Sequence, residues 1–108
     1  MFDVHTPAPN GNQDPTWIMA VRDLPQDRAP ALFIVDNDRT TLIGKRLRQV
    51  LEALQKGPIF CASPVRLSDA VLILRRDYGV RIETETTQDG RKFYDLKSTA
   101  TRAAQEAA

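Results

Sequence analysis

The sequence predicts an α+β fold in which two or three helices precede a C-terminal β-hairpin, with an N-terminal β-hairpin or extended arm ahead of them. Three observations carry this. Ile43, Leu47, Val50, Leu51 and Leu54 recur at helical spacing, and Leu67, Val71, Leu74 and Tyr78 do so again further on. The stretch 80–86 (VRIETET) then alternates strictly ahead of Asp89-Gly90, a strong hairpin signal. At 108 residues, 42% hydrophobic and 27% charged, the chain has the length and composition of one globular domain.

Residues 1–15 contain Pro7, Pro9, Pro15 and Asn10-Gly11-Asn12, which predicts a flexible leader. Residues 16–40 form the next unit. Within it 16–22 (TWIMAVR) and 31–36 (ALFIVD) are short runs of strand-favouring residues, and the proline-containing 23–30 between them makes a hairpin the simplest pairing, with one helical turn at Trp17-Ile18-Met19 as the alternative. A helix is expected over 41–56, capped by Asp38 or Thr40 and ended by Gly57-Pro58, with Lys45, Arg46, Arg48 and Glu52 on its polar side. A second helix, 64–78, starts from Ser63-Pro64 as a capping serine with proline in the first helical position. Ala70 joins its apolar stripe, and Gly79 ends it. Strands follow at 80–86 and 92–96, with Tyr94 and Leu96 as the inward pair, and 41–97 forms the main domain. Residues 98–108 are an alanine-rich tail or fraying helix.

Composition excludes several function classes. One cysteine, Cys61, forbids an internal disulfide and fits a reducing cytoplasm; it sits in an apolar stretch as a small hydrophobe. One histidine, His5, leaves metal catalysis almost without ligands, so neither a metal nor a cofactor is expected. The start of the chain has no basic segment followed by an apolar one, and no apolar run approaches the length of a membrane span. Glu83 and Glu85 share a strand face, but their alternation is that of a solvated surface, so no enzyme is expected. The net charge of +1 hides an asymmetry: residues 1–40 carry three arginines against six aspartates, whereas 41–97 carry eleven bases against seven acids.

Two helices and then a hairpin is the element order of a winged helix, a scaffold suited to duplex DNA. A helix fits the major groove while a hairpin touches the flanking backbone. The outward residues of 64–78 are Arg66, Ser68, Asp69, Leu72, Arg75 and Arg76; Arg81 begins the wing, and Arg91 and Lys92 sit at its tip. Lys45 and Arg46 on the preceding helix are placed to meet phosphates. These residue types bind phosphates or base edges, with Leu72 available to a thymine methyl or a protein partner. Each also has a local alternative: Arg75 and Arg76 can pair with Asp69 or Asp77, and Lys45 and Arg46 can simply be solvated.

LRQVLEALQKGP, LSDAVLILRRDYGVRIETE and GRKFYDL together resemble the phage-associated helix-turn-helix family of small winged-helix proteins over about 42–97. The matching positions are Leu74-Arg75-Arg76 with Gly79, Ile82-Glu83-Thr84, and Tyr94 with Leu96. The resemblance implies sequence-specific DNA binding and a regulatory role in phage or mobile-element biology. One departure is that members place a full middle helix where this chain has only 59–62 before Ser63. That helix is shortened, lost, or merged into 64–67. LFIVDNDRTTLIGKRLRQVLEAL also resembles the opening of a response-regulator receiver domain, with Asp36 and Asp38 as its metal-holding acids. The 78 residues remaining from Ala31 are too few for that parallel fold, so Asp36-Asn37-Asp38 is read as a turn and helix cap.

The resulting expectation is a non-enzymatic, cytoplasmic, double-stranded DNA-binding protein. A protein-interaction module on the same scaffold is the alternative, with residues 16–36 able to serve a homodimer or another protein partner.

Overall fold

The computed structural model describes residues 14–103. Most of the leader and residues 104–108 therefore lie outside the described residues. The order is β1 (Ala31–Val35), β2 (Arg39–Ile43), α1 (Lys45–Lys56), β3 (Ile59–Phe60), α2 (Ser68–Asp77), β4 (Ile82–Thr86), β5 (Lys92–Leu96) and β6 (Ala100–Arg102). The strands form two antiparallel three-stranded sheets, ordered β2-β1-β6 and β3-β5-β4.

The N-terminal hairpin is not the expected one. Residues 16–22 contribute only a parallel bridge, Thr16 to Ile59, followed by a 3₁₀ turn at Val21–Asp23. β1 instead pairs with β2, Leu32 opposite Leu42 and Ile34 opposite Thr40. The turn explains why. Asp36 and Asn37 both adopt positive φ, 55° and 56°, and the Asp38 N–H donates to the Val35 carbonyl at 3.0 Å. Asp and Asn tolerate that left-handed conformation better than other non-glycine residues, and a primed turn needs it.

The turn is also anchored. Asp36 accepts hydrogen bonds from Ser98 Oγ at 2.9 Å and the Thr99 N–H at 3.0 Å, which ties the first sheet to the β5–β6 connection. Burial would raise the Asp36 carboxyl, but those bonds and the Arg81 charge together hold it below the ordinary carboxylate value.

Because β2 takes residues 39–43, α1 begins four residues later than its periodicity suggests. Its N-cap is Gly44, not Asp38 or Thr40. Gly44 lies so close to Pro30 that a Cβ there would come within 2.9 Å of the Pro30 Cα. The inward face of α1 is as expected, with Val50, Leu51 and Leu54 fully buried. Arg48, however, is buried, not solvated. Its guanidinium donates to the Ala29 carbonyl at 2.6 Å and pairs with Asp27 at 3.1 Å and Glu52 at 3.2 Å. Gln49 beside it donates to the Pro25 carbonyl at 2.8 Å, so the polar side of α1 pins the 25–29 loop.

No middle helix occurs between α1 and α2. The residues after Gly57-Pro58 form β3, which pairs with β5, Ile59 opposite Tyr94 and Phe60 opposite Phe93. α2 then starts at Ser68, because Ser63 is used elsewhere. Its buried Oγ donates to the Phe60 carbonyl at 2.8 Å and accepts from the Ile18 N–H at 3.0 Å, fixing the N-terminal segment instead of capping a helix. The stripe of α2 is the expected one: Leu67, Ala70, Val71 and Leu74 are buried and Tyr78 is partly so. Gly79, at φ +68°, turns the chain away where a side chain would be strained.

The β4–β5 hairpin matches its sequence signal, with Gly90 at φ +93° and the Gly90 N–H on the Thr87 carbonyl at 3.0 Å. Ile82, Tyr94 and Leu96 face the core. Residues 100–102, expected as tail or helix, pair with β1 as β6. One cluster of buried apolar side chains spans both sheets and both helices, and supplies the main stabilisation at about 1.5–3 kcal/mol per fully buried large side chain.

Candidate nucleic-acid interface

The site begins with what α2 leaves outside. Its apolar stripe faces α1 and the sheets, so Ser68, Asp69, Leu72, Arg75 and Arg76 are exposed along its other side. Leu72 is 51% exposed, a large apolar side chain in water on an otherwise polar face. No described residue of the N-terminal segment covers this face. The β4–β5 hairpin stands next to it.

Arg75 makes that juxtaposition rigid. Its Nε donates to the Ile82 carbonyl at 2.6 Å and its Nη2 to Thr84 Oγ1 at 3.2 Å, strapping α2 to β4. It therefore positions the hairpin, and its guanidinium fork is occupied. Arg76 makes a two-point contact with Asp77, Nε to Oδ1 at 2.9 Å and Nη2 to Oδ2 at 3.2 Å. That bond holds the Asp77 carboxyl below its ordinary value and raises the Arg76 guanidinium. Arg66 lies 3.9 Å from Asp69, both more than three-quarters exposed, a pair worth little in water. Arg76 and Arg66 keep their charge at the surface; a phosphate has only to compete with an adjacent, solvated carboxylate.

At the hairpin tip Arg91 pairs with Asp89, Nη2 to Oδ2 at 2.7 Å, and Thr87 Oγ1 donates to the same carboxyl, whose pKa falls to about 2. The Arg91 guanidinium also lies 5.1 Å from the centroid of the Phe60 ring. Lys92 is exposed, with no ion-pair partner among the described residues. Arg81, at the start of the hairpin, reaches Asp36 at 3.5 Å. Lys45 and Arg46 stand at the N-terminus of α1. Lys45 is held at φ +56° by its N–H on the Arg28 carbonyl, and Arg46 donates to Gln49 Oε1 at 3.2 Å. They edge an apolar groove of 470 Å³ beside the two helices, lined by Leu47, Ala70 and Ile73 and bordered by the exposed Leu42 at the edge strand β2.

The structure thus gathers Ser68, Asp69, Leu72, Arg75 and Arg76 on one face of α2, with Arg66 in the loop just before it, and Arg81, Arg91 and Lys92 on the adjoining hairpin. Lys45 and Arg46 lie apart, across the groove. On the other side of the hairpin sheet Glu83 stands opposite Asp95 in register; Asp95 is buried, its Oδ2 held by Lys97 at 3.0 Å and its Oδ1 without a hydrogen-bond partner, and Lys97 also reaches Glu85 at 2.8 Å. Cys61 is half-buried, and burial raises its thiol despite the Tyr94 hydrogen bond and the Lys92 and Arg75 charges, so it is not an activated nucleophile. Among the described residues no cluster of His, Cys, Asp or Glu can hold a metal, and no helix is long and apolar enough to cross a membrane.

Two features escaped the sequence reading. Arg39 closes the end of α2 by donating to the Tyr78 carbonyl at 3.2 Å. Trp17 stacks on Phe60 with ring centroids 4.4 Å apart. Neither has a spacing signal, since the partners are 39 and 43 residues away. No family model matches the chain, and no curated protein or solved structure is significantly similar to it.

Proposed function

We propose that the chain is a sequence-specific double-stranded DNA-binding protein on a winged-helix plan, a non-enzymatic regulator of phage or mobile-element type. α2 reads the major groove and the β4–β5 wing meets the backbone. The observation that carries this reading is the open outward face of α2 with the hairpin strapped beside it by Arg75. On this reading Arg66, Ser68, Leu72 and Arg76 meet the groove, Lys92 and Arg91 meet phosphates, and Arg75 acts by positioning the wing. β3, between α1 and α2, supports it further by pairing with β5 and widening the wing into a three-stranded sheet; the absent middle helix is a departure from that plan.

A mobility-shift titration against genomic fragments at two salt concentrations tests the reading. Binding should weaken steeply with salt as condensed counterions are released. Arg76→Ala should cost about 1–3 kcal/mol on the selected site. Absence of binding to any fragment at low salt overturns it.

One observation favours a protein-interaction module instead. Leu32 and Leu42, paired in register and both exposed, share the outer face of the first sheet with Ile34, Thr40 and Thr101. That face carries no charged side chain among the described residues of its strands, which suits a homodimer or another protein.

A further inference from the structure

We infer a second nucleic-acid contact on this chain, a stacking step for an unpaired base formed by Trp17 on Phe60 and served by Arg91 and Lys92. It extends the DNA-binding reading to single-stranded nucleic acid. Trp17 is the chain's one tryptophan and is 40% exposed, yet it is held in place: its ring stacks on Phe60 at an interplanar angle of 26°. Phe60 lies outside the main apolar cluster, and its ring is packed by Trp17 and by the Arg91 guanidinium. The result is an ordered aromatic ledge at the edge of the wing.

Two shallow grooves share Trp17 as a wall. One, of 420 Å³, is lined by Phe60, Ala62, Arg91 and Lys92 among others; the second, of 340 Å³, by Met19, Ala62 and Pro64. Either has room for a nucleobase and its sugar. Neither has an acidic lining residue. The nearest acids of the wing face, Glu85 and Asp95, are engaged by Lys97, and Asp89 by Arg91. Lys92 keeps an unpaired positive charge beside the ledge. A flat π surface with the unpaired Lys92 cation at one side, and Arg91 sharing its charge with Asp89, suits a base and its phosphate. A proline-rich peptide would use the ledge and leave the cations idle.

Because no other tryptophan contributes, fluorescence excited selectively at tryptophan, beyond the absorption of Tyr78 and Tyr94, reports Trp17. Titrating the full chain with a short single-stranded oligothymidylate should quench Trp17 saturably, and added salt should weaken the effect. Binding of the labelled oligonucleotide, read by anisotropy, should fall about tenfold or more in Trp17→Ala and less in Trp17→Phe, which keeps a stacking ring. Lys92→Gln should lower it several-fold. Circular dichroism establishes that each variant is folded. The inference fails if the folded wild type shows no quenching at low salt, if Trp17→Ala binds as tightly as wild type, or if only a proline-rich peptide quenches. A duplex mobility shift run in parallel separates the two readings. A shift that persists without oligonucleotide quenching overturns this inference alone, and a lost shift with quenching intact overturns only the α2 reading.

Discussion

Replacing Arg75 distinguishes a strut from a base reader. Its Nε–H bond to the Ile82 carbonyl is short, charge-assisted and part-buried, and its Nη2 bond to Thr84 is exposed. Bonds from a charged donor contribute about 1.5–3 kcal/mol when shielded, and the exposed one only a fraction of that, so Arg75→Ala should cost roughly 2 kcal/mol. For a domain of this size that corresponds to a Tm lower by about 10 °C. Arg75→Lys keeps the charge but not the fork, and should recover less than half. Thermal unfolding followed by circular dichroism measures both. A double-mutant cycle with Thr84→Val should show coupling below about 1 kcal/mol, since that contact lies in water. An unchanged Tm in a variant that loses duplex binding would show that Arg75 reads a base and does not strap the wing.

Other outcomes follow from the same contacts. Arg48→Met leaves Asp27, Glu52 and the Ala29 carbonyl without their shared donor; it should destabilise by about 3 kcal/mol in denaturant titration and loosen 25–29 toward proteolysis. Gly79→Ala puts a side chain at φ +68° and its Cβ onto the Arg39 guanidinium, which must swing away and give up its bond to the Tyr78 carbonyl, so the cost should be the backbone strain of about 1–2 kcal/mol plus about 1 kcal/mol for that lost bond. Asp36, Asp77 and Asp89 all have carboxyls below 3.8 in the folded state, Asp89 at about 2. Their contribution is present above the unfolded value and lost as pH falls through the folded one. Tm should therefore hold down to about pH 4 and drop below it, less steeply in Asp36→Asn.

Much of the second half was legible from local signals. The stripes 50–54 and 67–74, the Asp89-Gly90 turn and the inward pair Tyr94 and Leu96 all depend on periodicity or turn chemistry. The first half misled for a physical reason: Ile43 sits four residues before Leu47, so a strand end imitates the start of a helix. Thr40-Thr41, Gly44 and the two left-handed turn residues were the contrary signal. Ser63-Pro64 has the form of a cap, but a tertiary bond from the Ile18 N–H and a local one to the Phe60 carbonyl take its hydroxyl. β3 and β6 are two and three residues long and exist only through distant partners, so no local pattern can announce them. Within the candidate site, the exposure of Ser68, Asp69, Leu72, Arg75 and Arg76 on α2 and of Arg91 and Lys92 by the hairpin turn follows from periodicity and turn chemistry, and the pairing of Arg76 with Asp77 is one of the local alternatives the sequence offers. The strut role of Arg75 was not, because it requires β4 to lie against the helix.

The most direct test of the central claim maps where a selected DNA duplex touches the protein. In amide chemical-shift titrations of the isotope-labelled full chain, the account predicts perturbations over 66–76, from the loop before α2 along its exposed side, and over 89–92 at the hairpin tip. The outer face of β1 and β2, at Leu32, Ile34 and Leu42, should stay unmoved. Shifts confined to that sheet face, with α2 silent, would contradict the account and point to a protein-docking domain.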